Sequence, residues 1–299
     1  MLLQMTRALV LGGGGPVGIA WESGLLAGLA ECGADLSTAD LIAGTSAGSF
    51  VGAQLALGQS PAAMAAPFLN DAQQSYPTFT AQAAAPDLSG LVMKMMELFL
   101  GTRPAETVRA EIGSWALAAP SISEAEFIAR FSPALGGQAD GAWPPRAYAC
   151  TAVDTADGSF HVWTKESGIG LARAVASSCA VPGVYPPISF RGRRYMDGGM
   201  KSPTNADIAK GHDLVLVVSV TSGAALPAAA APFLRMFERE LQQLRDSGSQ
   251  VEVISPDALS AESFGPNLMD PARRPAAARN GVRQGKLEAA RILDAWSAV

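Results

Sequence analysis

Ser46 has the setting of a nucleophile. It stands at the centre of Gly44-Thr45-Ser46-Ala47-Gly48, a G-x-S-x-G string. An apolar run, Asp40 to Ala43, precedes it and a helical pattern, Ser49 to Leu57, follows. A serine at a sharp strand-to-helix turn exposes its hydroxyl, and small neighbours permit the strained backbone. The following helix turns free N–H groups toward a developing oxyanion. The same string also suits a serine that merely caps a helix in a glycine-rich turn.

Two more glycine turns bear on the choice. Gly13-x-Gly15-x-x-Gly18 follows the apolar run Arg7 to Leu11, and uncovered amides there would form an anion-binding concavity. A dinucleotide site would need an acidic residue about 20 positions on, ending the second strand. Asp35 has that distance, but it precedes the Leu41–Ala43 run instead of ending it. An oxyanion hole beside Ser46 and a plain structural turn both remain open. Asp197-Gly198-Gly199 follows Arg194 to Met196 and, taken alone, reads as an ordinary β-turn.

The elements that would position these residues alternate. Arg7 to Leu11 predicts a strand and Ile19 to Cys32 a helix closed by Gly33; the second strand and helix flank Ser46, an α/β pattern favouring a mostly parallel sheet. Residues 60 to 145 are less regular and predict a helical insertion. Within it Leu88 to Leu100 carries Met93, Met95 and Met96, which suit either an acyl-chain wall or an ordinary packed helix. Strands are then expected over Arg146 to Val153 and Ser159 to Thr164, a helix over Gly170 to Cys179, and a buried strand over Asp213 to Val220. Phe233 to Ser247 predicts a polar-faced helix, Gln250 to Ser255 a strand, and Asn280 to Ala298 a closing helix. With no repeat and no long linker, residues 1–299 read as one domain.

Composition narrows the function classes. Net charge is −5, without a basic stripe, which argues against a nucleic-acid partner. Cys32, Cys150 and Cys179 are odd in number and lack metal-ligand spacing, so they suit free thiols in a reducing compartment. Neither a signal-peptide pattern nor a run of about 20 apolar residues is found, and a cytoplasmic protein is expected.

The three turns, in this order and in these contexts, resemble the patatin-like phospholipase family, acyl hydrolases that use a Ser–Asp dyad. Residues 176–187, ASSCAVPGVYPP, are similar to the family's segment before its catalytic Asp. The likeness covers most of the chain and is weakest between 60 and 145. It implies a three-layer α/β/α fold, with Ser46 as nucleophile and Asp197 as base. Gly13, Gly14 and Gly15 would supply oxyanion-hole amides, and Gly18, Gly44, Gly48, Gly198 and Gly199 would shape the turns. It implies fatty acyl esters of lipids, phospholipids among them, as substrates, transient contact with a membrane surface, and no cofactor or metal. Val17 stands where the family usually has Lys or Arg, which removes electrostatic help toward an anionic headgroup but not the backbone hole. A lipid-binding or regulatory protein on the same fold is the alternative, opposed by the intact Ser46, Asp197 and glycine turns.

Only two histidines occur, His161 in a strand pattern and His212 just before one. Both are expected to be structural, so Asp197 would take the serine proton itself. A free Asp, with a pKa of about 3.9, is a feeble base, and an apolar site would have to raise that value.

Overall fold

The computed structural model describes residues 5–69, 89–137, 141–222 and 231–297. The chain begins with β1 (Arg7–Leu11), α1 (Gly15–Glu31), β2 (Leu41–Gly44) and α2 (Ala47–Ala56). Four helices follow: α3 (Pro61–Leu69), α4 (Ser89–Leu100), α5 (Ala105–Ala118) and α6 (Glu124–Ala129). Next come β3 (Tyr148–Asp154), β4 (Phe160–Trp163), α7 (Leu171–Ser178), β5 (Ile188–Phe190) and β6 (Arg193–Asp197). The last elements are β7 (Leu214–Val218), α8 (Ala231–Asp246), β8 (Gln250–Ile254), α9 (Ala258–Phe264) and α10 (Arg274–Ser297).

Three layers follow from the period of a strand. In β1, Leu9 and Leu11 enter one core with α1, α2 and α10. Ala8 and Val10 enter a second core on the opposite face with Phe237, Leu241 and Leu244 of α8. Successive side chains point to opposite faces, so a central strand needs apolar residues throughout; β7, LVLVV, is buried at every position. The described strands form an eight-stranded sheet along the path β5–β6–β3–β2–β1–β7–β8, with β4 on β3. β8, β7, β1, β2 and β3 are parallel, while β4, β5 and β6 pair antiparallel.

Two helices start a full turn or more earlier than the residue pattern predicts. α1 begins at Gly15, not Ile19, and α10 at Arg274, not Asn280. Pro16 and Pro275 fall in the first turns, where a missing N–H costs nothing and the fixed φ suits a helix. The 60–145 region is helical where described, but its pattern does not announce α5, because Gly113 interrupts it. That glycine lets the helix lie on β3's end, since a Cβ there would come 2.2 Å from Thr155 O.

α1 and α10 touch backbone to backbone. A Cβ on Gly24 would lie 2.2 Å from Ala278 O, and one on Gly28 the same distance from Val282 O. Gly24→Ala would gain about 1 kcal/mol of helix propensity if solvent faced it. Here the clash is with backbone, and overpacking typically costs about 1–3 kcal/mol. The expected outcome in urea denaturation is a net loss of stability with an unchanged m-value; a more stable variant would contradict the close approach.

Candidate active site

The sheet register places the two candidate catalytic residues. Along β3, Cys150 pairs with Gly44 of β2 and also with Trp163 of β4. Ala152 pairs with His161 of β4 and also with Asp197 of β6. A strand has two edges, and β4 occupies one of them across both positions. β2 and β6 therefore share the other edge in succession: β2 ends opposite Cys150 and β6 ends opposite Ala152. Ser46, two residues past Gly44, comes level with Asp197.

Ser46 holds φ 52° and ψ −118°, a conformation that non-glycine residues rarely adopt and that surrounding structure must enforce. The enforcement is visible. Its N–H donates to Ser178 Oγ at 3.0 Å, while its carbonyl accepts from Ser49 Oγ at 2.6 Å and from Cys179 Sγ at 3.1 Å. Gly44 and Gly48 allow the tight approach: a Cβ on Gly44 would meet Gly48 O at 2.3 Å, and one on Gly48 would meet Leu11 O at 2.2 Å.

Asp197 is 3% exposed. Burial pushes its carboxyl up to about 7, against the pull of the neighbouring Ser46 hydroxyl and of the Gly199 amide. That amide donates to Asp197 Oδ1 at 2.7 Å. Of the two, the Ser46 hydroxyl exerts the larger pull. Gly198 packs under the turn, where a Cβ would meet Thr151 Oγ1 at 2.0 Å.

The glycine turn needs one correction. The Gly13 amide donates to Pro203 O at 2.7 Å, so the oxyanion-hole role expected of it is taken by a structural bond. Gly13 remains close to the site, with Ser46 Cβ 3.3 Å from where its own Cβ would be. The Gly14 and Gly15 amides make no hydrogen bond among the described residues. Gly15 lines a narrow open crevice together with Ser46, Ala47, Phe131, Val181 and Tyr185. The Gly18 amide is part of α1, donating to Gly14 O at 2.8 Å. Val17, at the position of the family's usual cation, is fully buried.

Neither histidine is bonded to the pair. His161 shares a hydrogen bond with Ser159 Oγ at 3.2 Å and stacks on Trp163; burial lowers its pKa. His212 precedes β7, which runs parallel to β1, and so sits at the sheet edge opposite Ser46. The Met-rich α4 contributes nothing to the crevice lining among the described residues. Met93 is 69% exposed and Met95 packs on a separate apolar cluster under β3. Asp35 caps the short turn Leu36–Thr38 by accepting from Ser37 N.

Sequence reasoning assigned no role to Ser178, Cys179 or Glu22. Ser178 and Cys179 lie in the 176–187 segment, where the resemblance assigns neither of them a role. The Ala47 amide, like those of Gly14 and Gly15, makes no hydrogen bond among the described residues, and it stands at the start of the helix whose free N–H groups were expected beside Ser46. Glu22 is fully buried, and burial raises its carboxyl well above the usual range while the Gly12 amide pulls it down. Among the described residues no cluster of His, Cys, Asp or Glu is arranged to hold a metal ion, and no helix is long and apolar enough to cross a membrane.

Comparison with known proteins identifies the family. Over 218 residues the chain is 30% identical to patatin-like phospholipase domain-containing protein 7 of Rattus norvegicus, covering 72% of this chain and 13% of that protein. The Mus musculus counterpart is 29% identical over 225 residues, covering 75% and 14%. The chain thus spans about a seventh of these relatives' length. VipD from Legionella pneumophila aligns structurally over 98% of this chain and 67% of its own, at 14% identity and a TM-score of 0.43. The sequence profile of the family Patatin-like phospholipase matches residues 9–210, and the chain belongs to that family.

Proposed function

We propose that this protein is a serine acyl hydrolase cleaving fatty acyl esters of lipids, phospholipids among them, with Ser46 as nucleophile and Asp197 as general base. One observation carries the reading: a serine in an enforced strained turn beside a buried carboxyl whose pKa is pushed up to about 7. A base that titrates near neutral pH is matched to proton transfer under ordinary conditions.

In the first half-reaction the Asp197 carboxylate takes the Ser46 proton as Oγ bonds to the ester carbonyl carbon. The carbonyl oxygen becomes an oxyanion facing the Gly14, Gly15 and Ala47 amides, each such donor being worth roughly 2.7–4 kcal/mol. Asp197 then gives the proton to the departing alcohol as its C–O bond breaks, leaving acyl-Ser46. Water then attacks the acyl carbon as Asp197 takes its proton; the bond from Ser46 Oγ to that carbon breaks, Asp197 returns the proton to Oγ, and the fatty acid leaves. The apolar crevice beside Ser46 suits an acyl chain, and its wall is stiff: Phe131 packs edge-on against Phe50 and Phe127, with ring centroids 5.5 and 5.2 Å apart. Val17 leaves headgroup charge unrecognised at that position, so the acyl side carries the binding. Cys32, Cys150 and Cys179 are all unpaired, which suits a cytoplasmic enzyme meeting its substrate transiently at a membrane surface.

The reading is tested by labelling with a fluorophosphonate and mapping the modified residue, expected at Ser46. Ser46→Ala should lose labelling and ester turnover while circular dichroism stays unchanged. Asp197→Asn should lose several orders of magnitude, whereas His161→Asn and His212→Asn keep most activity. Collapse of either histidine variant would mean that the base is wrongly assigned.

The pH profile gives a second test. Asp197 must be ionised to accept the proton, so kcat/KM should fall tenfold per unit below about pH 7 and level off above it. A profile flat down to pH 5 would exclude a carboxyl base of that pKa.

A further inference from the structure

Behind the two turns lies a buried polar cluster that the proposed reaction does not use. At its centre is Asn205, fully buried and left-handed at φ 49°, ψ 40°. Its amide nitrogen lies 2.7 Å from Ser202 O and 3.1 Å from Gly198 O. It also lies 3.0 Å from Thr45 Oγ1 and 3.4 Å from Thr151 Oγ1. Carbonyl oxygens only accept, so two of them around one atom fix that atom as the nitrogen. Thr45 Oγ1 and Thr151 Oγ1 are themselves 2.9 Å apart.

The partners are what give this cluster its meaning. Thr45 is the residue before Ser46, and Gly198 is the residue after Asp197. Thr151 stands on β3 between the position that ends β2 and the position that ends β6. The two strand ends share an edge of β3 without pairing to each other, so β3 sets where each strand stops while the turns beyond them need a tie of their own. The segment bearing Asn205 is anchored from outside: Glu240 Oε2 on α8 accepts from Thr204 Oγ1 at 2.7 Å and from Ala206 N at 3.3 Å.

We propose that Asn205 is a positioning residue that sets the separation of the Ser46 hydroxyl and the Asp197 carboxylate by tying Thr45 to Gly198 across Thr151. The proposal rests on the Ser–Asp reading above. Misplacement of reacting groups by about 1 Å can cost on the order of a hundredfold in rate, so one amide spanning both turns has leverage that an ordinary buried hydrogen bond lacks.

The experiment compares Asn205→Ala, Asn205→Asp, Thr45→Val and Thr45→Ser with the wild-type chain on one soluble short-chain ester. Competent sites are counted by fluorophosphonate titration, so that unfolded molecules do not enter kcat. Asn205→Ala is expected to lower kcat per competent site roughly 10- to 100-fold with KM within about twofold. Its acid limb should move to higher pH, because the Ser46 hydroxyl that pulls Asp197 down is drawn away. Asn205→Asp, nearly the same shape but unable to donate, should do no better. Thr45→Ser keeps the hydroxyl and should retain near-normal kcat, while Thr45→Val should lose part of it. Adding Thr45→Val to Asn205→Ala should cost less than it costs alone, since both remove one shared bond.

A folded Asn205→Ala protein with unchanged kcat per site and an unmoved pH limb, lower only in melting temperature, would overturn the proposal. If Asn205→Ala does not fold, the Thr45 pair decides: equal kcat for Thr45→Val and Thr45→Ser overturns it, and a loss confined to Thr45→Val supports it. Failure of the underlying dyad is read separately, as turnover that survives in Ser46→Ala or Asp197→Asn.

Discussion

The arrangement depends on two strands ending on the same edge of a third. β2 arrives parallel to β3 and stops opposite Cys150; β6 arrives from the other direction and stops opposite Ala152. Each then turns away, one into the Ser46 elbow and the other into the Asp197 loop. Strand pairing holds residues in register at fixed spacing, so β3 acts as a ruler for two side chains it does not carry. The sequence separation of Ser46 and Asp197 is thereby spanned by hydrogen-bonded backbone instead of by flexible loops.

Around that edge the chain is built to permit close contact, and each contact has a specific cause. The Ser46 backbone is strained, and three hydrogen bonds, with Ser49, Ser178 and Cys179, hold it there. The Asp197 carboxyl is buried with few partners, which is why its pKa rises instead of falling. An aspartate left in water would be a weaker base, and one bonded to several donors weaker still. Strain and desolvation are local costs tolerated because β1, β7 and the α1–α10 contact form a rigid support.

Much of this was legible in the residues. The G-x-S-x-G and D-G-G strings, the glycine run after β1 and the alternation of apolar runs carried the fold class and the candidate pair that the sheet brings together. What escaped has physical reasons. Helix starts were misplaced at Pro16 and Pro275, because proline reads as a stop in a one-dimensional pattern yet suits a first turn. The Gly13 amide was expected to face the site, but its partner Pro203 lies far along the chain and only the folded loop brings it near. The abutment of β2 and β6 is a matter of pairing, which no local pattern encodes. Thr45, Thr151 and Asn205 look like ordinary polar residues until the register joins them.

The raised Asp197 pKa also bears on folding itself. In the unfolded chain this carboxyl would titrate near 3.9; in the native protein it does so at about 7. Between those values the native state binds the extra proton, so folding takes one up. The contribution of this group to stability is therefore fully present below about pH 4, is lost as pH rises toward 7, and stays lost above. Three units correspond to about 4 kcal/mol, a large fraction of the roughly 5–15 kcal/mol by which native domains are stable. The ionised form that the proposed reaction requires is thus the form the fold tolerates least, and a neutral asparagine in its place would relieve the native state while removing the proposed base.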